Sequence, residues 1–207
     1  MKIWTTQAKE FYDLLMEQGY AYCLHICEVA EEGWKYPYDW MVEQMRKRIG
    51  EPPLPGIKYP VWAWYQYGSG KHRKPELCRD TMSCRECPSG IEVMMELDVP
   101  DNEVLLSDFD LWHVPLNHSC YLVEPKSRRF KKMLKRQGRK HLYEFPEDLQ
   151  AMVRKSWEKI FDLRLNHKSS YNKYIQGTLW WVKKEWLVST EQMAYADLPE
   201  LPPFDDA

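Results

Sequence analysis

The sequence predicts a single α+β domain with a mixed or mainly antiparallel sheet and flanking helices. Three observations indicate this class. The chain has 207 residues, a length typical of one domain. Its predicted strands are short and aromatic, in a chain with ten Trp and 13 Tyr. They do not alternate regularly with helices, as the βαβ units of a parallel sheet would.

The predicted strands share β-branched or aromatic residues, and the best of them alternates strictly. In YPVWAWYQY, the even-numbered positions, including Trp62, Trp64 and Gln66, face one side, and the odd-numbered positions face the other. Two further segments are less distinct: residues 20–26 are a strand or another short element, and residues 186–195 form a terminal element. The five predicted strands are residues 2–6, 59–67, 91–99, 103–106 and 174–182.

Three segments carry apolar residues three and four positions apart, which predicts helices over residues 7–18, 38–49 and 146–161. Thr6 is a suitable N-cap for the first helix, and Gly19 is a suitable stop. Residues 68–90 are polar and predict a long loop. Because no repeat and no clear linker divides the chain, we expect one domain over residues 1–196. Residues 197–207 form a flexible acidic tail that contains proline.

Composition and charge exclude several classes of protein. The chain has 29 Lys and Arg against 31 Asp and Glu, a net charge of −2, so it is not a uniformly basic protein. A hydrophobic fraction of 44% is too high for a disordered chain. The N-terminus lacks a secretory apolar region, and no uncharged stretch reaches the roughly 18 apolar residues of a membrane span. We therefore expect a cytoplasmic protein with no membrane partner and with reduced cysteines.

Polar side chains on and beside the strands form a candidate ligand site. Gln66 lies within the aromatic strand, and Gln176 opens the late strand IQGTLWW. Such groups cost several kcal/mol when buried unpaired, so each needs a partner or a ligand. They either satisfy loop backbone or bind a polar ligand between Trp and Tyr faces. A further polar group lies at one strand exit: Ser107, Asp108, Asp110, His113 and Asn117.

The loop at 68–90 contains a weak metal motif. Cys84 and Cys87 have the spacing of two tetrahedral zinc ligands, and His72 and Cys78 could complete the set. Zinc ribbons usually show two such pairs, and this loop has one. These residues could therefore bind zinc, but because the loop has a single Cys pair we expect no metal. The separate pair Cys23 and Cys27 is predicted to face the core.

Residues 126–140 form a basic segment without a single acidic residue. Such segments are often exposed and suit phosphate backbones, because each neutralised phosphate releases counterions. The expected partner is therefore nucleic acid or an acidic protein, and the alternative is an exposed helix that pairs with the acidic body. The cations of the basic segment are Lys126, Arg128, Arg129, Lys131, Lys132, Lys135, Arg136, Arg139 and Lys140.

Several motifs together resemble a bacterial family of about 200 residues that is known as a domain of unknown function. They are WTTQ, YDWMVEQMRKRIG, YPVWAWYQY, VLLSDFDLWHVPLN, KSWEKIFDL and IQGTLWW. The resemblance covers nearly the whole chain but implies no activity.

The order of elements also resembles the ADP-ribosyltransferase fold, whose bacterial toxins use NAD to modify DNA, RNA or protein. In that superfamily the late strand often carries Gln-x-Glu, and the Glu holds a ribose hydroxyl of NAD. The matching residues here are Gln176, Gly177 and Thr178, and Thr178 carries no negative charge. The resemblance implies ribose binding by Gln176, with the missing charge supplied by Asp108, Asp110 or Glu185.

The same resemblance implies a cofactor site for NAD. Thr5 and Gln7 would hold the nicotinamide side, and the stacking wall would include Trp62, Trp64 or Tyr65, with Gln66 beside it. Two functions follow as hypotheses. The first is an NAD-dependent ADP-ribosyltransferase-like enzyme, a toxin or defence effector that acts on nucleic acid or protein. The alternative is a non-catalytic module that binds nucleic acid or a partner through residues 126–140.

Overall fold

A six-stranded antiparallel sheet forms the centre of the computed structural model. The structure describes residues 1–23, 32–68, 72–75, 88–121, 128, 130, 132, 135, 142–163 and 174–194. The strands are β1 (Lys2–Ala8), β2 (Tyr20–Ala21), β3 (Val61–Gln66), β4 (Ile91–Asp98), β5 (Leu105–Asp108), β6 (Ile175–Leu179), β7 (Val182–Lys183) and β8 (Leu187–Ala194). The order in the large sheet is β5-β6-β3-β1-β4-β8, and a short second sheet pairs β2 with β7.

The helices that flank the sheets include α1 (Lys9–Gln18), α2 (Glu32–Ile49), α3 (Phe109–Leu116) and α4 (Glu147–Trp157). Short 3₁₀ turns occur at Asp101–Glu103, Leu142–Glu144, Glu158–Phe161 and Lys184–Trp186. The predicted α+β class with a mainly antiparallel sheet is therefore confirmed. None of the helices in the described ranges is long and apolar enough to cross a membrane.

The end of β1 differs from the prediction. Residues 7 and 8 continue the strand instead of starting the helix, because they pair with β4 as Gln7 with Val93 and Ala8 with Glu92. Ala8 precedes the first helical residue, and Thr6 is not the N-cap. The predicted stop is correct: Gly19 has a φ of 83°, and its N–H donates to Leu15 O at 3.0 Å. A left-handed C-cap of this kind favours glycine.

The two faces of the large sheet bury different cores. On one face, which we call the α1 face, Ile3, Ala63 and Val93 pack in a cluster that includes Leu15 of α1. On the other face, which we call the helix face, Trp62 and Leu105 pack against the cluster that contains residues of α2, α3 and α4. Successive residues of a strand point to opposite faces, so the face of each candidate side chain follows from its strand position.

Candidate functional site

A row of paired residues crosses the middle of the sheet on the helix face. Ser107 of β5 pairs with Gln176 of β6, Gln176 pairs with Trp64 of β3, and Trp64 pairs with Trp4 of β1. Directly opposed residues share a face, with Cβ atoms about 4.5–5.5 Å apart. The structure therefore brings together the predicted Trp64 and Gln176. Trp62 lies two residues before Trp64 and on the same face.

Polar atoms in this row, and on the adjacent residues Trp62 and Asp108, are buried without a hydrogen-bond partner among the described residues. The exposed fraction is 0% for Ser107, 1% for Asp108 and 5% for Gln176. The unpartnered atoms are Ser107 Oγ, Asp108 Oδ2, Gln176 Nε2 and Trp62 Nε1. Buried polar groups in native proteins are nearly always satisfied, so each of these atoms calls for an explanation, such as water or a ligand. We refer to Trp62, Trp64, Ser107, Asp108 and Gln176 as the candidate site.

Asp108 follows Ser107 at the end of β5, and the start of α3, rather than the face of the row, sets the direction of its side chain. Its Oδ1 accepts a hydrogen bond from the backbone N–H of Leu111 at 3.0 Å and caps the helix. The Phe109 N–H donates to Tyr174 O at 3.0 Å, which ties the start of α3 to the residue before β6. An ionised carboxylate at a helix N-terminus is favoured by the helix dipole. One oxygen of Asp108 thus has a structural role, while the other, Oδ2, is buried without a hydrogen-bond partner among the described residues.

Half-buried aromatic rings stand at the end of the candidate site where β3 and β5 finish. The Trp64 ring centroid lies 5.0 Å from that of Phe109 and 5.0 Å from that of Tyr67. Tyr174 adds a third neighbour to Trp64 at 6.3 Å. Phe109 and Tyr174 are not among the predicted site residues, although Tyr174 opens the predicted strand at 174–182 and Phe109 lies three residues after the predicted strand at 103–106. These rings could stack against a flat ligand.

On the other side of the row, a second aromatic group closes the site. The Trp62 ring lies 5.4 Å from Trp112 of α3 and 6.0 Å from Tyr38 of α2. Trp112 is 3% exposed, so this group belongs to the helix-face core. Trp62 therefore packs in the core, and its Nε1 is a donor without an acceptor among the described residues.

The structure does not bring Thr5 and Gln7 to the candidate site. Both lie on the α1 face, because they alternate with Trp4, the neighbour of Trp64 in the row. The Thr5 hydroxyl donates to Trp62 O at 2.7 Å, and Gln7 Nε2 donates to Thr5 Oγ1 at 2.8 Å. The expectation of a common cleft formed by Trp4–Gln7 and Gln176 is wrong in this respect.

The remaining predicted residues of the NAD site have other surroundings. Gln66 follows a register shift in β3, and its Nε2 donates to Gly68 O at 3.4 Å. Thr178 is fully buried and donates to Leu105 O at 3.4 Å, so it is held within the sheet. Asp110 and Glu185 are exposed. Of the three carboxylates considered for the missing charge, only Asp108 lies beside the row.

Trp4 links the row to an ionic contact on β4. Trp4 Nε1 donates to Glu96 Oε2 at 3.0 Å, and Lys2 Nζ lies 2.8 Å from Glu96 Oε1. The hydrogen bonds from Lys2 and Trp4 lower the pKa of Glu96 below its usual value. The His72 ring packs 4.9 Å from the Trp4 ring, and its Nε2 lies 2.7 Å from Lys2 O.

The predicted zinc ligands are only partly described. Cys78, Cys84 and Cys87 lie outside the described residues, and so does Cys27. His72 lies against Trp4 and Tyr65, at 4.9 Å and 4.5 Å between centroids. Within the described ranges, no group of three His, Cys, Asp or Glu residues could hold a metal ion. Cys23 packs against the α1-face core, as predicted.

The described residues of the basic segment are helical, with an exposed side and a buried side. Arg128, Lys132 and Lys135 are exposed, whereas Phe130 is 3% exposed and packs in the helix-face core. The aromatic residue therefore anchors this part of the segment and leaves its cations at the surface. The other predicted cations lie outside the described residues: Lys126, Arg129, Lys131, Arg136, Arg139 and Lys140.

A known protein family matches most of the chain, including the candidate site. The family model described as Domain of unknown function (DUF3841) matches residues 2–188. The chain belongs to this family. The match contains every residue of the candidate site, and it confirms the family resemblance that the sequence motifs predict. The description of DUF3841 names no activity, so the ADP-ribosyltransferase likeness stays a prediction. No curated protein and no solved structure matches the chain.

Proposed function

We propose that the chain binds NAD at the candidate site and transfers its ADP-ribose group to nucleic acid or protein. The observation that carries the proposal is the set of buried polar atoms on Ser107, Asp108 and Gln176 that have no hydrogen-bond partner in the described part of the chain. An amide N–H, a hydroxyl and a carboxylate oxygen together match a ribose, whose hydroxyls both donate and accept hydrogen bonds. The aromatic rings beside Trp64 suit the flat nicotinamide ring.

The chemical requirement of the reaction assigns a role to Asp108. Positive charge develops on the ribose as the bond from C1′ to the nicotinamide nitrogen breaks and its electron pair leaves with nicotinamide. A fixed carboxylate in a site without water stabilises such charge strongly. Thr178 cannot supply it, and Asp108 is the buried carboxylate beside the row. In the proposal, Gln176 and Ser107 hold the ribose hydroxyls and Asp108 stabilises the charge.

The proposed function requires that NAD can reach polar atoms that are covered in this structure. Ser107 and Gln176 are almost completely covered, while Trp64, Phe109 and Tyr174 are half-buried. A dinucleotide therefore reaches the polar atoms only when these rings rotate away. The binding of NAD should then change the fluorescence of Trp64, because its ring exchanges protein contacts for the ligand.

Nicotinamide release tests the enzyme directly. The purified chain is incubated with NAD, and free nicotinamide is measured by chromatography, with Asp108→Asn as the variant. Asn also caps helices well, so the fold should survive the change. We expect a loss in rate of about 10²-fold or more. Asp110→Asn, two residues along and exposed, is the matched control and should stay within about twofold of the wild type.

Two results would contradict the enzyme. A folded wild-type chain that releases no nicotinamide, and whose Trp fluorescence does not respond to millimolar NAD, does not use NAD. An equal loss of rate in Asp108→Asn and Asp110→Asn would remove Asp108 from the mechanism. Melting temperatures of the three proteins show that each result concerns a folded chain.

A second candidate function rests on the two-sided helix of the basic segment. The burial of Phe130 beside the exposed Arg128, Lys132 and Lys135 supports a cationic surface held on the domain. This surface would bind RNA or DNA with weak sequence preference, with or without catalysis. If about five of the nine cations contact phosphate, the slope of log K against log salt is near −4 to −5.

Fluorescence anisotropy with labelled RNA and DNA, measured between about 50 and 200 mM salt, tests the second candidate. Binding that is insensitive to salt would contradict phosphate contacts. If neither nucleic acid binds, an acidic protein partner becomes the better explanation of the segment.

A further inference from the structure

His113 lies at the solvent side of the candidate site. It is exposed, and its ring packs edge-on against Phe109, with the centroids 4.9 Å apart. Phe109 in turn packs against Trp64 at 5.0 Å, and Trp64 is the direct cross-strand neighbour of Gln176. His113 and Phe109 are four residues apart on α3, so they share one face of the helix. His113 is therefore connected to Gln176 through the rings of Phe109 and Trp64, and its own ring lies at the surface.

The hydrogen bond of His113 fixes which ring nitrogen can accept a proton. His113 Nδ1 lies 3.0 Å from the backbone carbonyl oxygen of Phe109. A carbonyl oxygen only accepts, so Nδ1 carries the hydrogen in this contact. In the neutral ring, Nε2 is then the acceptor, on the side of the ring away from the helix backbone. A bond of this kind at Nδ1 is the usual way in which proteins set the tautomer of a histidine base.

We infer that His113 is the general base of the transfer reaction and that the acceptor is a neutral protic group. Such an acceptor is a hydroxyl, an amide or exocyclic amine, or water. In the step, the acceptor oxygen or nitrogen forms a bond to C1′ of NAD and gives its proton to His113 Nε2. The bond from C1′ to nicotinamide breaks, and nicotinamide leaves with the electron pair. Carboxylates and phosphates are already ionised at neutral pH, so they would need no base. This inference rests on the proposed NAD-dependent function.

Water is itself a neutral protic acceptor, so the hydrolysis of NAD to nicotinamide is the probe. The variant His113→Gln removes the base but keeps a polar, helix-compatible side chain. General bases contribute about 10²–10⁴-fold, and we expect kcat to fall within that range while KM changes less than about threefold. Free imidazole should restore part of the rate, which a merely structural role would not allow. His118→Asn is the matched control, because Asn tolerates the positive φ of 49° at this position.

The outcomes separate the inference from the function on which it rests. If the wild type releases nicotinamide and His113→Gln does so at the same rate, His113 is not the base, while the proposed function stands. A loss of rate that imidazole does not restore in a folded variant also overturns the inference. If the folded wild type releases no nicotinamide, both the proposed function and the role of His113 fail.

Discussion

Ser107 and Gln176 oppose each other directly across β5 and β6, and each is buried with a polar atom that has no hydrogen-bond partner among the residues that the structure describes. A buried polar group that stays without a partner costs about 1–3 kcal/mol, so two such groups at one point of a sheet call for a water or a ligand. Sites that bind ligands often carry such costs, which apolar replacements remove at the expense of function. The pair therefore offers a test that separates a ligand site from an ordinary core position.

Gln176→Leu should leave the free energy of unfolding unchanged or raise it by about 1 kcal/mol, because it removes the buried amide and keeps most of the volume. The same change should abolish the response of Trp fluorescence to NAD. Chemical denaturation and an NAD titration on the same preparation measure both effects. A large loss of stability would mean that the Gln176 amide has a structural partner in the native protein. The effects of Gln176→Leu are compared with those of Trp62→Phe on the same face. That change removes the Nε1 donor and part of the ring.

Gly177→Ala should destabilise the fold by about 1–3 kcal/mol, the usual cost of an added methyl group in a packed core. A Cβ at Gly177 would lie 2.7 Å from Val104 Cγ2 and 3.5 Å from Leu106 Cδ2. The midpoint of urea denaturation measures the loss. Combining the change with Val104→Ala should give a coupling energy that offsets part of the loss. Strictly additive effects would show that Val104 is not the obstacle.

The class of fold could be predicted because its signals are local. The alternation of YPVWAWYQY identifies β3, and the two faces of that strand lie as the pattern indicates. The end of β1 was missed because long-range pairing with β4 outweighs the weak helical preference of Gln7 and Ala8. Element boundaries of this kind depend on partners that are distant in the sequence.

The candidate site could be predicted only in part. Trp64 and Gln176 were both expected on strands, but their pairing depends on the register of β3 with β6, which no local pattern specifies. Thr5 and Gln7 were grouped with them wrongly. Simple alternation already places Thr5 and Gln7 on the face opposite to Trp4, so that signal was present in the sequence. The selection of Asp108 over Asp110 required burial, which the sequence does not give.

Glu96→Gln should lower stability at neutral pH by about 1 kcal/mol, since it replaces a charged acceptor of hydrogen bonds from Lys2 and Trp4 with a neutral one. The pKa of Glu96 is lower in the folded chain than its usual value. Its contribution is therefore complete above the unfolded pKa and disappears as the pH falls through the folded pKa. The melting temperatures of wild type and variant should converge in acid. A difference that stays constant from pH 7 to about pH 3 would contradict the ionic origin of the effect.

Substitution of Phe130 should lower the stability of the fold, whereas substitution of its exposed neighbours should affect only the binding of nucleic acid. Phe130→Ala removes a buried ring from the helix-face core and should cost about 3–5 kcal/mol. The double change Lys132→Glu and Lys135→Glu alters only exposed side chains, so stability should change by less than about 0.5 kcal/mol per site. If both lysines contact phosphate, the negative slope of log K against log salt should shrink by about 2 for RNA or DNA. Exposed Lys155→Glu on α4 is the matched charge control. A slope that stays unchanged in the double variant would show that this face of the helix does not contact nucleic acid.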